Sequence, residues 1–233
     1  MDIPVWLDPH NCQFPDNRLA LQEPNGLLAV GGSLDSDTLL RAYRQGIFPW
    51  YSDDQPLLWW SPDPRAVLFP DQLRISRSLR KTLNSQRFNV TIDQAFDRVI
   101  RACAAPRAED NNGTWITHAM IAAYNQLHQL GHAHSVEVWQ DDQLVGGLYG
   151  LALGRVFFGE SMFHRQRDAS KVGFAHLVEH IIALNFQLID CQQATSHLES
   201  LGATTIPRHH FNELLQRYCD TDDISTNQQT PAP

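Results

Sequence analysis

The chain has 233 residues and a mass of 26.5 kDa, with 42% apolar and 19% charged residues, which excludes dominant disorder and needs no disulfide or metal staple to hold a core. No apolar run approaches the roughly 20 residues that span a bilayer, and the first residues, with Asp2 and no basic stretch, are unlike a signal peptide, so a cytoplasmic protein is expected. Net charge is −8, yet between Arg65 and Arg107 nine basic residues face three acids, an excess of six that leaves the rest of the chain at −14.

Sixteen of the eighteen basic residues are Arg, the type whose planar fork suits phosphate. The basic stretch therefore reads either as a footing for an anionic polymer or as a solvated helical face. Cys12, Cys103, Cys191 and Cys219 form no C-x-x-C pair and read as free thiols of a reducing compartment.

The first sixty residues are rich in turns and aromatics. Glu23-Pro24-Asn25-Gly26 is a turn signal, and Ser33 or Ser36 is placed to cap a short helix with Leu39, Leu40 and Tyr43 on its apolar face. Gly46 should end it as a left-handed residue. Two aromatic clusters follow, Phe48-Pro49-Trp50-Tyr51 and Trp59-Trp60-Ser61-Pro62-Asp63-Pro64-Arg65, where proline prevents regular helix. A boundary near Pro62 to Pro64 divides the chain into a small α/β domain over 1–63 and a larger domain over 64–218.

The larger domain opens with three expected helices, about 76–84, about 92–104 from a Thr91-x-x-Gln94 capping-box pattern, and about 117–130 ended by Gly131. From His134 the period changes to two. Ser135–Gln140, Gln143–Leu151 and Arg155–Phe163 read as a β-meander turning at Asp141-Asp142 and Gly154. An apolar helix over about 169–185 follows, capped by Asp168 or Ser170, then a strand over Gln187–Gln192 and a helix near 208–218. The fold class is α+β, and the β-β-β-α-β order is also that of the GNAT (acyl-CoA N-acyltransferase) core, an analogy that carries no function. Residues 219–233 are polar and aperiodic and read as a disordered tail.

In Leu188-Ile189-Asp190-Cys191-Gln192, alternation places Asp190 and Gln192 on one face, roughly 7 Å apart. The pair reads either as an acid orienting an amide or as satisfied polar residues at a strand end. Glu160, among Phe and Met, is a carboxylate either paired with a buried cation or awaiting a cationic ligand. His176-Leu177-Val178-Glu179-His180 matches the H-x-x-E-H zincin pattern, but its helix is apolar on nearly every side, so a core helix and no metal are expected. His128, His132 and His134 straddle Gly131 and read as surface and turn residues. Trp50, Trp59, Trp60 and Trp115 suit either core packing or stacking on unpaired bases. No phosphate-binding G-x-x-x-x-G-K-[ST] loop or G-x-S-x-G nucleophile elbow is present.

Taken together, Glu23-Pro24-Asn25-Gly26-Leu27-Leu28-Ala29, Gly46-Ile47-Phe48-Pro49-Trp50, the Trp59–Arg65 cluster, Gly113-Thr114-Trp115-Ile116-Thr117, Gly131-His132-Ala133-His134-Ser135, Gly159-Glu160-Ser161-Met162-Phe163 and Leu188–Gln192 closely resemble the leucyl/phenylalanyl-tRNA–protein transferases, in family order. The resemblance implies a small N-terminal domain packed on a GNAT-like C-terminal domain. It implies an enzyme that moves Leu or Phe, and Met less efficiently, from aminoacyl-tRNA onto the N-terminal Arg or Lys of an acceptor protein, marking it for the N-degron pathway. By motif position, Asp190 and Gln192 resemble the catalytic pair, Asp190 polarising Gln192, and Glu160 resembles a residue holding the acceptor peptide. Trp50 and Trp115 resemble residues that pack on the tRNA's terminal adenosine. Phe157, Phe174, Ile189 and Leu148 are expected around the aminoacyl side chain, and Arg65, Arg77, Arg80 and Lys81 at tRNA phosphates. His164 and Asp168 depart from the Ser and Asn expected in relatives. No cofactor, metal or membrane partner is implied, and a monomer is expected. An acetyl-CoA-dependent acetyltransferase and a non-catalytic binder of N-terminal Arg peptides are the competing readings.

Overall fold

The computed structural model describes residues 3–105 and 115–219. Arg107, Gly113, Thr114 and the polar tail from residue 220 lie outside these residues, whereas Cys219, assigned to that tail, is buried at the end of the last helix.

The N-terminal part forms a four-stranded sheet from β1 (Val5–Leu7), β2 (Leu27–Gly31), β3 (Phe48–Pro49) and β4 (Leu58–Trp60), in the order β1-β2-β4-β3. Helix α1 (Ser36–Arg44) sits between β2 and β3. Asp35 caps it, accepting from the Thr38 N–H at 2.9 Å, in place of the expected serines. Gly46 has φ +71 and follows the helix as expected, since a side chain there would be strained.

The rest builds a seven-stranded sheet in the order β11-β5-β10-β9-β8-β7-β6. Its strands are β5 (Arg65–Leu68), β6 (Asn89–Ile92), β7 (Ala133–Gln140), β8 (Gln143–Leu153), β9 (Val156–His164), β10 (Leu188–Gln192) and β11 (Thr204–Ile206). The meander β7-β8-β9 is antiparallel, with Asp141 and Asp142 at φ 50 and 59 in the tight turn. The parallel β9 and β10 are joined through α5 (Ala169–Ala183). Strands β5, β6 and β11 were not expected from the sequence. Each has only three or four residues, too few to show a period.

Helices α3 (Phe96–Ala104) and α4 (His118–Gln129) pack on one face of this sheet, and α2 (Arg77–Asn84) and α5 pack on the other. The capping box at Thr91 does not form, because Thr91 lies in β6 and α3 begins at Phe96 with no cap of its own. Its N-terminal amides are met from β7 instead. The buried Glu137 carboxylate accepts from the Gln94 and Ala95 N–H groups at 3.3 Å each, and from Thr91 and Ser135 hydroxyls at 2.5 Å. The described residues finish with α6 (Ser196–Ser200) and α7 (Arg208–Tyr218). Helix α7 reaches back to the N-terminal part through reciprocal amide bonds between Asn212 and Asn17 at 2.9 Å.

Candidate active site

Two bulges in neighbouring strands shape the site. Between β8 and β9, Tyr149 faces Ser161 and Gly150 faces Gly159, which leaves Glu160 as an extra residue. Between β10 and β5, Asp190 faces Val67 and Gln192 faces Ala66, which leaves Cys191 extra. Regular alternation therefore stops at Asp190. Gln192 takes φ 60, a left-handed conformation uncommon outside Gly, Asn and Asp, and its N–H turns back to donate to Asp190 Oδ1 at 2.9 Å. Asp190 thus touches the Gln192 backbone, not its side-chain amide as the same-face reading implied.

The Gln192 side chain goes to Glu160, with Nε2 donating to Oε1 at 2.8 Å. Tyr43, from α1, donates to the same oxygen at 2.6 Å, and Tyr124, from α4, donates to Oε2 at 2.9 Å. The two tyrosine hydroxyls also contact each other. Glu160 is 8% exposed, and among the described residues no cation lies within ion-pair distance of it. Burial pushes its pKa up to about 7, although the tyrosine hydroxyls and the Gln192 amide favour the carboxylate. The same burial raises both tyrosines well above the ordinary phenol range. A demand for donors was legible at Glu160, because a buried carboxylate requires them. That they would be Tyr43 and Tyr124 was not, since Tyr43 reads as plain apolar helix surface and its partner lies 117 residues away.

Arg65 overturns its expected role at tRNA phosphate. It is fully buried and grips Asp190 bidentately, Nε to Oδ1 at 2.8 Å and Nη2 to Oδ2 at 2.7 Å. Nη1 donates to the Gly46 carbonyl at 3.1 Å, and the guanidinium stands 4.7 Å from the ring centres of both Phe48 and Phe211. Buried between the two rings, with three of its five N–H groups already bonded, it is not accessible to a phosphate. The other three expected phosphate residues, Arg77, Arg80 and Lys81, are exposed on α2. Arg98 and Arg101, on α3, lie across the sheet from them, and Arg101 is paired with Asp97 at 2.7 Å.

The four tryptophans divide. Trp59 and Trp60 are structural, donating their indole N–H groups to Gly31 and Trp50 carbonyls at 2.8 and 2.7 Å. Trp50 is 38% exposed and meets Trp60 edge-on, and Trp115 is half-buried. Their loops are tied by a hydrogen bond between Tyr51 and Thr117 at 3.1 Å. Leu148, Phe157, Phe174 and Ile189 do come together, buried in the layer between the sheet and α5. Their chain neighbours Tyr149, Phe158 and Asp190 point to the opposite face, the one that Glu160 occupies. Gly150 permits this packing, because a Cβ there would come within 2.7 Å of the Phe157 ring and 2.2 Å of the Phe158 carbonyl.

Burial and the neighbouring Asp190 raise the Cys191 thiol above its usual range, which argues against a nucleophilic role. His176 and Glu179 are exposed on α5, and among the described residues no three His, Cys, Asp or Glu side chains gather as a metal site. His128 is not simply a surface residue. It stacks on Phe96 at 4.4 Å and bonds the Ala133 carbonyl, while His134 bonds Asp93, both at 2.7 Å.

Comparison with known proteins matches residues 67–216 to the family described as leucyl/phenylalanyl-tRNA protein transferase, and residues 32–63 to the N-terminal domain of the same family. A leucyl/phenylalanyl-tRNA–protein transferase of Pseudomonas syringae pv. syringae is 61% identical over 216 residues, 93% of this chain and 94% of its own length. One from Ectopseudomonas mendocina is 62% identical over 214 residues, 92% and 94% of the two chains. Among solved structures, L-PGS from Bacillus licheniformis aligns with a TM-score of 0.44 at 9% identity, covering 72% of this chain and 53% of that one. Both parts of the chain, matched in order and nearly end to end, place it in the leucyl/phenylalanyl-tRNA protein transferase family of aminoacyltransferases.

Proposed function

We propose that this protein transfers Leu or Phe, and Met less efficiently, from aminoacyl-tRNA to the N-terminal Arg or Lys of acceptor proteins, creating a degradation signal of the N-degron pathway. The observation that carries this reading is the Gln192 amide, whose nitrogen is bound to Glu160; in this reading the carbonyl oxygen at its other end meets the incoming amine. In the proposed reaction the α-amine nitrogen bonds to the ester carbonyl carbon, the bond from that carbon to the ribose oxygen breaks, and an amine proton ends on the released oxygen. The ester is already activated, so positioning can supply most of the barrier reduction, on the order of 7–11 kcal/mol in favourable cases. The amine needs no strong base, because its reference pKa of about 7.7–8.0 leaves part of it neutral near pH 7.

In this reading Trp50 and Trp115 pack on the terminal adenosine, and Leu148, Phe157, Phe174 and Ile189 border the aminoacyl side chain. Arg77, Arg80 and Lys81 meet acceptor-stem phosphates. The protein works as a cytoplasmic monomer without a cofactor, with residues 1–63 and 64–218 as its two domains.

The test is to incubate purified protein with labelled leucyl-tRNA and an Arg-starting peptide, without ATP or CoA, beside Asp190→Ala. Label should pass to the peptide in the wild type and fall by about 100-fold or more in the variant, which loses the carboxylate holding Gln192 in place. No transfer of Leu, Phe or Met by the wild type would overturn the proposal.

A further inference from the structure

We infer that Glu160 is a positioning residue that acts through Gln192, fixing which end of its amide meets the acceptor amine, rather than itself gripping the acceptor's cationic side chain. The inference rests on the reading of Gln192 given under Proposed function.

A glutamine amide is nearly symmetric in shape, with two donors on one side and an acceptor on the other. Left to itself at a site edge, Gln192 would present either end. Presenting the nitrogen to an amine would set donor against donor. Glu160 removes the ambiguity because an ionised carboxylate only accepts. Its Oε1 takes the Gln192 Nε2 at 2.8 Å. The amide oxygen is thereby turned away from Glu160.

The carboxylate is itself held from two directions. Tyr43 comes from the N-terminal part and Tyr124 from α4, and together with Gln192 they direct three donors at two oxygens. Three aimed donors favour the ionised, accept-only form, which burial opposes and which prevails above about pH 7. The same crowding argues against a direct grip on the acceptor. Oε1 already has two partners and Oε2 one, the residue is 8% exposed, and a guanidinium would need two free acceptor sites side by side. The bulge explains how the arrangement arises, since the extra residue in β9 brings the carboxylate up beside the irregular end of β10.

The two roles differ in kinetics. An orienting residue acts on kcat, whereas a residue that holds the acceptor acts on the acceptor KM. With leucyl-tRNA as donor and an Arg-starting peptide as acceptor, Glu160→Gln should lower kcat by about 10- to 100-fold while the peptide KM stays within about twofold. Gln192→Glu should also lower kcat, because it sets two carboxylates against each other. The exchange variant, Glu160→Gln with Gln192→Glu, restores one carboxylate paired with one amide and again turns an acceptor oxygen to the amine. It should recover kcat at least about 10-fold above either single variant.

A peptide KM that rises about 10-fold or more in Glu160→Gln with kcat unchanged, or an exchange variant no better than the worse single one, would overturn the inference while leaving the transferase reading intact. Absence of transfer by the wild type would overturn both. Should Glu160→Gln fail to fold, Tyr124→Phe removes one donor to the carboxylate and leaves Gln192 untouched. It should lower kcat about threefold or more with the peptide KM unchanged, and a change in KM alone would count against the inference.

Discussion

Arg65 is a buried cation with three of its five N–H donors engaged, two on Asp190 and one on the Gly46 carbonyl, and with its plane held between two phenylalanine rings. Removing it leaves the Asp190 charge buried without a counter-charge, so Arg65→Met should lower unfolding free energy by about 3–5 kcal/mol in urea denaturation. Arg65→Lys keeps the charge but not the fork, and should lose stability and kcat with no change in how the aminoacyl-tRNA KM depends on salt. Glu160 predicts a pH effect of opposite origin. Its pKa is raised on folding to about 7, so the folded state keeps a proton that the unfolded chain has released, and stability declines as pH rises from about 4.5 to about 7. Glu160→Gln carries no such penalty. Its stability relative to wild type should rise by about 3 kcal/mol across that window, measured by urea titrations at pH 4.5 and 7.5. At this scale the sequence showed which side chains matter more readily than what each one touches. Asp190, Gln192 and Glu160 stood out as polar residues in apolar strands, whereas the side-chain partners of Glu160 come from 32 to 117 positions away and Arg65 lies 125 from Asp190.

The elements that build the site are those with irregular hydrogen bonding. Strand periodicity located β7, β8, β9 and β10, and the 3.6-residue period located α1, α4, α5 and α7, because each is long enough to repeat. Periodicity assumes a regular ladder, and it failed at the Glu160 and Cys191 bulges. It also missed β5, whose four residues follow two prolines and yet carry Arg65 into the second sheet, between β11 and β10. The start of α3 shows the same limit in another form. Its cap is Glu137, a residue from a strand some forty positions later, so no local pattern could reveal it. Glu137→Ala should unsatisfy the Gln94 and Ala95 amides and cost about 1.5–3 kcal/mol. Hydrogen exchange should then show faster exchange in the first turn of α3, with α5 unchanged.

Across the whole molecule, the concentration of basic charge in one stretch of sequence does not become a single surface. Arg65 is internal, Arg77, Arg80 and Lys81 ride on α2, and Arg98 and Arg101 stand on the other side of the sheet. Charge counted along a chain ignores which face each helix turns outward, so a run of basic residues in sequence need not be one patch in space. If α2 carries the phosphate contacts, each of Arg77→Ala, Arg80→Ala and Lys81→Ala should reduce the slope of log KM for aminoacyl-tRNA against log salt by about one unit, whereas Arg98→Ala should leave it unchanged. The overall α+β class was legible, since the change of period from helices to a β-meander marks it. The closeness of the two sheets was not, because it depends on pairs such as Asn17 with Asn212 and Tyr43 with Glu160. The Arg65 guanidinium lies between Phe48, placed early in the chain, and Phe211, in the first turn of α7. A polypeptide still emerging from the ribosome lacks one half of that sandwich until α7 has left the exit tunnel. Gln192 is thus synthesised before the support behind Asp190 can close, and this packing is completed late, with α7.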